Sequence, residues 1–575
     1  MGMRRSSAPD ISFTFDGAVI PAKEGDSLAS ALISQGIYGL KESLNGERRG
    51  VFCGMGVCNE CAVVVDGQAG RLACMTPVVN GVVVQHQPAH PAIDFSDSSL
   101  PMDQLPESEI SPDVLVIGAG PSGLAAAAVV AEAGLDVVLI DERGKMGGQY
   151  FKQPADTFLD EEALDQQFRE GRALIARVKK SKVQVLSGTS VWGAFSAHHL
   201  VATSQNERWI IRPDKLIIAT GAYERGLPRP GWTLPGVMTT GAAQTLLRSY
   251  QVAIGSQVFI SGNGPLNLQV AAELIRAGGN VVGLAESANL FRLAKIPSAI
   301  ALFWYSPLLG FKGLGYLLTL IRARVPVYFG CAVTRFSGRT TVEQIELSRV
   351  RKESRQDDKK RTFTVDAVAL GFGFMPSNEI ARSLGCKHQF DSDVGHLRVV
   401  TDEFGNTSLP DVQVIGDSGG VSGAQIAKAA GILAGFSVVE GSDYEVSSAL
   451  MVEKNKALRV HRKNQKFQKQ LWKIFASPTI VDQPTEPSTV ICRCLSLSNG
   501  EIEGSFTDDT LSAGALKRVT RAGMGICQGR YCAPVVVGLT SEFTGTPVDE
   551  YSGFAPQVPY KPTAIGVIAQ VEIHR

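Results

Sequence analysis

The chain has no excess of either charge. Its 575 residues carry 56 Lys and Arg against 56 Asp and Glu, so the basic footprint of a nucleic-acid-binding protein is missing. It has no long unbroken apolar run either. The most apolar long segment, residues 296–311, contains Pro297 and Pro307 and is bounded by Lys295 and Lys312, which leaves it too short and too interrupted to span a bilayer. The opening stretch MGMRRSSAPDISF has no apolar core of a secretory signal. A cytoplasmic location is therefore expected, with peripheral attachment at the inner membrane face as its variant. Cysteine is scarce outside two groups. Four of the ten lie within residues 53–74 and four within 492–532, and only Cys331 and Cys386 stand alone. In a chain without a signal, such grouping points to metal ligation rather than disulfides, and the lone pair reads as small buried residues. The length predicts three or four domains.

What is present is organised around residues 113–149. Val114 to Ile117 have the length and apolarity of a strand. Gly118, Gly120 and Gly123 form G-x-G-x-x-G, an Ala-rich helix follows to Gly134, and a second strand delivers Asp141. In such a unit the first glycine makes a tight turn, the second lets a pyrophosphate approach the backbone, and the third lets helix pack on strand. The helix N-terminus faces the phosphates, and the acid accepts from a ribose hydroxyl. Pro121, Ser122, Glu142, Gly148 and Gln149 complete the candidate dinucleotide set in this segment.

Ahead of this unit, ISFTF and AVIPA flank Asp16-Gly17 as a hairpin, and a helix is expected from Asp26 or Ser27 through Ile37. Then come Cys53, Cys58, Cys61 and Cys74, with Asp66-Gly67 as a second hairpin turn. C-x4-C-x2-C is the opening spacing of plant-type [2Fe–2S] sites, whereas zinc favours two C-x2-C pairs. Gly54 and Gly56 let the loop curl so that N–H groups point at sulfur. The segment resembles the small β-grasp ferredoxin domain of sarcosine oxidase-type α subunits and of hydrogen cyanide synthase. Pro, Ser and Asp dominate residues 88–112, which read as a linker.

Downstream, Ala219-Thr220-Gly221 ends an apolar strand, and Gly416-Asp417 precedes a helix expected from Ala424 to about Val438. This order of motifs resembles the flavoproteins with two dinucleotide-binding folds. The resemblance implies FAD, with Asp417 at the ribityl chain, Thr220 and Gly221 near the adenine half, and Gly147 and Gly148 beside the flavin. Between these motifs lies a second unit. It keeps Gly262 and Gly264, has Asn267 in place of the third glycine, and closes on Glu286, which would repel a 2′-phosphate. A retained scaffold is favoured there over a working nicotinamide site, and no C-x-x-C disulfide motif accompanies it. Two further stretches read as bland: the charge run 351–361 as a solvated loop, and the basic segment 453–475 as a surface helix, with docking on a partner or an anionic membrane as the other reading.

The C-terminal cysteines are Cys492, Cys494, Cys527 and Cys532, spaced C-x-C and C-x4-C in a segment of helical character. Four thiolates suit an iron–sulfur cluster or zinc. The stretch KRVTRAGMGICQGRYC resembles the bacterioferritin-associated-ferredoxin-like module, which implies a second [2Fe–2S] cluster, its charge offset by Arg518, Arg521 and Arg530. With residues 226–247 and 371–386, the whole is similar to the α subunits of opine oxidases and hydrogen cyanide synthase, fused to a ferredoxin domain.

The expected architecture is multidomain, α/β with β-grasp. It comprises a ferredoxin domain at 1–87, a linker at 88–112, and an FAD domain at 113–228 and 366–445 interrupted by a second dinucleotide-type domain at 229–365. A connecting helix at 446–485 and a small helical iron–sulfur domain at 486–575 complete it. The resemblance implies an electron-transfer subunit without a catalytic residue of its own. It would pair with a flavoprotein β subunit, similar to D-amino-acid oxidases, that oxidises amines such as opines, proline, hydroxyproline, sarcosine-like compounds or glycine. Some relatives hold FMN between α and β, and the downstream acceptor would be a quinone, a cytochrome or oxygen. The alternative is a self-contained NADH-dependent flavin and iron–sulfur reductase.

Overall fold

The computed structural model describes residues 9–91, 105–155, 165–350, 360–477 and 485–569. Strands Ile11–Phe15 and Ala18–Ala22 pair antiparallel about Asp16 and Gly17, whose φ of 50° and 83° are those of a tight hairpin turn. They extend into a five-stranded sheet through Val83–His86, Ala62–Val65 and Gln68–Leu72, with the first strand parallel to the third. Helix Leu28–Ser34 packs on it, with Ser27 and Ser30 forming a capping box. It ends short of Ile37 because the chain turns at Gly36 in a left-handed conformation.

The FAD-type domain is a parallel sheet in the order 184–187, 137–141, 114–117, 215–218, 412–414. Its central strands are buried on both faces, which is why they read as continuous apolar runs rather than alternating ones. Helix Pro121–Glu132 crosses one face and packs closely on helix Ala424–Glu440. The contact depends on small residues, since a Cβ on Gly431 would meet the Ser122 carbonyl at 2.1 Å. A second sheet, ordered 190–196, 199–203, 208–211, 107–110, takes a strand from the expected linker: Glu107–Ile110 pairs parallel with Arg208–Ile211. Residues 92–104 of that linker lie outside the described residues.

The second dinucleotide-type unit repeats the pattern, with parallel strands in the order 237–239, 367–371, 258–262, 281–286, 327–329 and helix Pro265–Arg276 after the glycine loop. The apolar segment at 296–311 divides at Ser306, where Pro307 starts a new helix. The result is a pair, Ile296–Tyr305 and Pro307–Arg322. The basic segment is one long helix, Ser448–Phe475, capped by Ser447 and packed on both helix Ala424–Glu440 and helix Ile296–Tyr305. Most of the charge run lies outside the described residues, and Arg361 already opens a strand. The C-terminal cysteines sit among a short hairpin and helices Asn499–Glu503, Ala513–Thr520 and Ala533–Thr544. No helix among the described residues is long and apolar enough to cross a membrane.

Candidate flavin cleft and cysteine centres

A cavity of about 680 Å³ opens above the carboxyl ends of the first parallel sheet, bordered by Gly118, Gly120, Gly148, Thr220 and Asp417. Gly120 begins helix Pro121–Glu132 with no side chain capping it, so the helix N-terminus faces this space. Gly123 is pressed on the turn: a Cβ there would lie 1.8 Å from the Gly118 carbonyl. Asp141 accepts from the Ala119 and Arg143 backbone N–H groups at 2.6 and 2.8 Å, and burial raises its carboxyl against these bonds. Burial likewise opposes the Glu142 carboxylate, but Lys561 at 2.8 Å, with Arg143 and Arg530, outweighs it and keeps the group ionised to lower pH.

The remaining candidates fall around the same opening. Asp417 accepts from the Ser422 and Gly423 N–H groups at 2.8 and 3.1 Å, which ties it to the start of helix Ala424–Glu440, and burial raises its carboxyl. Thr220 bonds the Ser377 carbonyl, and Gly221 and Gly416 turn the chain with φ of 71° and 65°. Gln149 lines the cleft, Gly147 is turned at φ 124°, and Ser122 is buried beneath Gly416. An uncapped helix terminus beside a twice-bonded acid fits the phosphates and ribose of a dinucleotide.

Two residues of this cleft were not evident in the sequence. Lys152 donates to the Gly241 carbonyl and to Gln244, both at 3.1 Å, and burial with the nearby Arg143 brings its ammonium down to about 7. Glu224 accepts from Gly241 N–H at 2.7 Å, and burial lifts its carboxyl to about 7. The carboxyl lies buried in the cleft wall, with Thr239 and Lys152 opposing the effect of burial. No motif marks either residue; only the fold brings them together.

Cys53, Cys58, Cys61 and Cys74 converge as two thiol pairs, Cys53 with Cys58 and Cys61 with Cys74. All four are buried. Gly54 and Gly56 adopt φ of 61° and 79°, and the curled loop sends Met55 and Cys58 N–H groups to the Cys53 sulfur at 3.5 and 3.4 Å. Glu60 N–H reaches the Cys58 sulfur at 3.4 Å. Burial alone would raise the Cys53 thiol, but Cys58 and these backbone donors bring it down to about 6. Among the described residues no three His, Cys, Asp or Glu side chains form a group suited to a metal ion. Two pairs of thiols, the first with N–H donors to both of its sulfurs, suit a two-iron cluster that takes two thiolates per iron. Cys53 also borders the flavin cleft, and Arg143 reaches across it to the Gly54 carbonyl at 3.3 Å.

The C-terminal cysteines are paired in the same way, Cys492 with Cys532 and Cys494 with Cys527. Cys532 and burial act oppositely on Cys492, and the thiol bond, with the N–H groups of Leu495, Gly523 and Cys494, wins and lowers it to about 6. Arg530 bonds the Cys527 carbonyl and pairs with Glu379 at 2.9 Å. Arg518 and Arg521, expected beside it, are exposed instead, because they fall on the outer face and at the C-cap of helix Ala513–Thr520. The cation that does enter is Arg493, between the first two cysteines. It is buried, bonds Glu60 of the first cysteine loop at 3.1 Å, and lies over the rings of Phe52 and Trp232 at 4.0 and 4.6 Å. Phe52 also meets Tyr531 edge-on at 5.3 Å, so the two cysteine centres face each other across one aromatic and ionic layer. Cys386 is buried on Thr407, whereas Cys331 is only half-buried.

In the second dinucleotide-type unit Glu286 accepts from Gly264 and Ala288 N–H groups at 2.9 and 2.8 Å, at the same sequence offsets as Asp141 with Ala119 and Arg143. Asn267, however, is a buried strut that bonds the Gly371 carbonyl and Thr240. Asn263, inside the glycine loop, donates to the Phe475 carbonyl at 2.8 Å, so the end of helix Ser448–Phe475 rests on that loop.

A family model described as a 2Fe-2S iron-sulfur cluster binding domain matches residues 8–89. A second, described as pyridine nucleotide-disulphide oxidoreductase, matches residues 112–303 and 315–431. The chain is 30% identical over 433 residues to the HcnB subunit of hydrogen cyanide synthase from Pseudomonas aeruginosa, covering 73% of this chain and 90% of HcnB. It is 28% identical over 473 residues to an opine oxidase subunit of Agrobacterium tumefaciens, covering 80% and 92%. It is 30% identical over 292 residues to the alpha subunit of sarcosine oxidase from a Corynebacterium, covering 47% and 30%. The solved structure of L-proline dehydrogenase from P. horikoshii superposes with a TM-score of 0.74 at 20% identity over 99% of each chain, a likeness of fold.

Proposed function

Since this chain belongs to the pyridine nucleotide-disulphide oxidoreductase family and is similar to HcnB and an opine oxidase subunit, we propose that it is the electron-transfer α subunit of a heteromeric amine or amino-acid dehydrogenase. It is an oxidoreductase with domains for FAD and a [2Fe–2S] cluster. A second cluster on Cys492, Cys494, Cys527 and Cys532, and FMN at the contact with a β subunit, belong to the proposal. So does a cytoplasmic setting with a quinone, cytochrome or oxygen as acceptor.

The observation that carries this reading is the position of Cys53 on the wall of the cleft that Gly118, Gly120 and Asp417 shape. One residue that would hold the first cluster, Cys53, thus borders the cavity lined by the residues that would hold the flavin. Flavin, when bound, supplies the exchange between two-electron and one-electron chemistry. Gly120 and the helix behind it would hold its phosphates, Asp141 its ribose, and Asp417 its ribityl chain. The loop at Cys53 keeps the first centre dry beside it, and Arg493 and Phe52 close the space to the second.

The NADH-dependent alternative is disfavoured by Asn267, which stands in place of the third glycine as a buried strut on Gly371, and by Phe475, whose carbonyl accepts from Asn263 inside the glycine loop. The test is purification of the full chain from its own cells. A stoichiometric second flavoprotein, and amine oxidation that needs both chains, is the expected result. Amine oxidation by this chain alone would refute the assignment.

A further inference from the structure

From the helix pair Ile296–Tyr305 and Pro307–Arg322 we infer that this protein docks on an anionic lipid surface. The inference goes beyond the electron-transfer role and stands apart from it. Ile296, Ile300 and Trp304 lie four residues apart, so they form one stripe along the first helix, and all are exposed. Leu308, Phe311, Leu314, Leu318 and Ile321 form a matching exposed stripe on the second. Trp304 is 83% exposed. Phe303 and Phe311 hold the helices together edge-on at 5.5 Å. The inner side is no less apolar, with Leu302 and Leu320 buried, so the pair is apolar nearly all round without being enclosed. A soluble surface rarely leaves so much contiguous apolar area bare.

Charge identifies the occupant. No Asp or Glu occurs from Ser287 to Val342, while Arg292, Lys312, Arg322 and Arg324 are exposed around the two stripes. Helix Ser448–Phe475, packed on the first helix of the pair, has no acid after Glu453 and exposes Lys463, Lys466, Lys469 and Lys473. The chain as a whole is neutral, so this lobe is strongly basic against an acidic remainder. Exposed Trp, Phe and Leu with cations and no acids is the composition of a helix that lies in the headgroup layer, held by apolar insertion and by anionic lipid together. Neither helix is long enough to cross, so the attachment is one-sided. The same helices supply Leu302, Leu309 and Leu317 to the wall of the flavin cleft, so docking would hold that cleft close to the bilayer.

The test is co-sedimentation of the full chain with vesicles of phosphatidylcholine alone and of phosphatidylcholine mixed with phosphatidylglycerol. Binding is expected only to the mixed vesicles, and weakened by salt. A variant carrying Trp304→Ser and Leu308→Ser should bind roughly tenfold or more weakly with its flavin spectrum unchanged. Reversing charge with Arg322→Glu and Arg324→Glu provides a second variant that leaves the apolar stripes intact, and it too should lose binding. No sedimentation with either vesicle would overturn the inference. So would binding indifferent to both variants, or a patch found buried against a protein partner or a second copy of this chain.

Discussion

Glu60 and Arg493 are 433 residues apart in the chain and bonded at 3.1 Å in the fold. Each stands inside a cysteine motif, Glu60 between Cys58 and Cys61, Arg493 between Cys492 and Cys494. Both are buried, and burial of Glu60 is outweighed by Arg493, then Lys41 and Arg49, which hold its carboxyl below the usual range. The pair thus fastens the first cysteine loop to the C-terminal one.

Glu60→Gln would leave Arg493 buried without its counter-charge, while Arg49 keeps Glu47 at 2.7 Å. Breaking a buried pair of this kind costs about 3–5 kcal/mol. The variant should melt earlier and release the C-terminal module to protease. Glu60→Met combined with Arg493→Met should recover part of the loss, which a thermal melt of the double variant checks.

Each cysteine centre should fail independently. Cys74→Ser should remove about half of the bound iron and one of two reduced-state resonance signals; Cys532→Ser should remove the other half and the other signal, on a two-cluster chain. Iron analysis with electron paramagnetic resonance reads both. Zinc retained at the C-terminal set would contradict the second cluster.

Asp141 holds both of its oxygens on backbone N–H groups and faces the cleft. Asp141→Asn exchanges an acceptor for a donor, and loss of a charge-assisted bond should weaken FAD about 10- to 100-fold by titration of the stripped protein. Gly123→Ala should fold poorly, since the added carbon meets the Gly118 carbonyl at 1.8 Å.

Glu286 gives a pH dependence. Burial lifts its carboxyl from about 4.5 in the open chain to about 7. The folded protein therefore binds the extra proton between these values, and its stability falls as pH rises through that window, reaching the full penalty above pH 7. Glu286→Gln removes the penalty, up to about 3 kcal/mol, at pH 8 and gives no such gain below pH 4.5. Melting curves of both proteins across this range should converge toward acid and separate toward base.

The glycine loops, the terminal acids and both cysteine sets were legible because each is a local pattern with fixed spacing. Asp16-Gly17 and Asp66-Gly67 were legible as turns for the same reason. The strand Glu107–Ile110 was not, since a short polar strand on the edge of a sheet has no periodic apolar signal and is fixed by its partner, Arg208–Ile211. Lys152, Glu224 and the Glu60–Arg493 pair were hidden because their meaning depends on burial and on neighbours far away in sequence. Arg518 and Arg521 misled for the opposite reason: proximity to Cys527 along the chain does not decide which face of a helix a cation takes. Helices differed from expectation mainly at their ends, where one cap or glycine decides, as at Gly36.

The most direct test is an anaerobic titration of the isolated chain with NADH, followed by its visible spectrum. With Asn267 in place of the third glycine and Phe475 bonded to Asn263 in the second glycine loop, the flavin and iron–sulfur bands should stay unbleached by NADH and bleach cleanly with dithionite. Rapid bleaching by NADH, flavin first and the clusters after it, would contradict the account and make the chain a reductase in its own right.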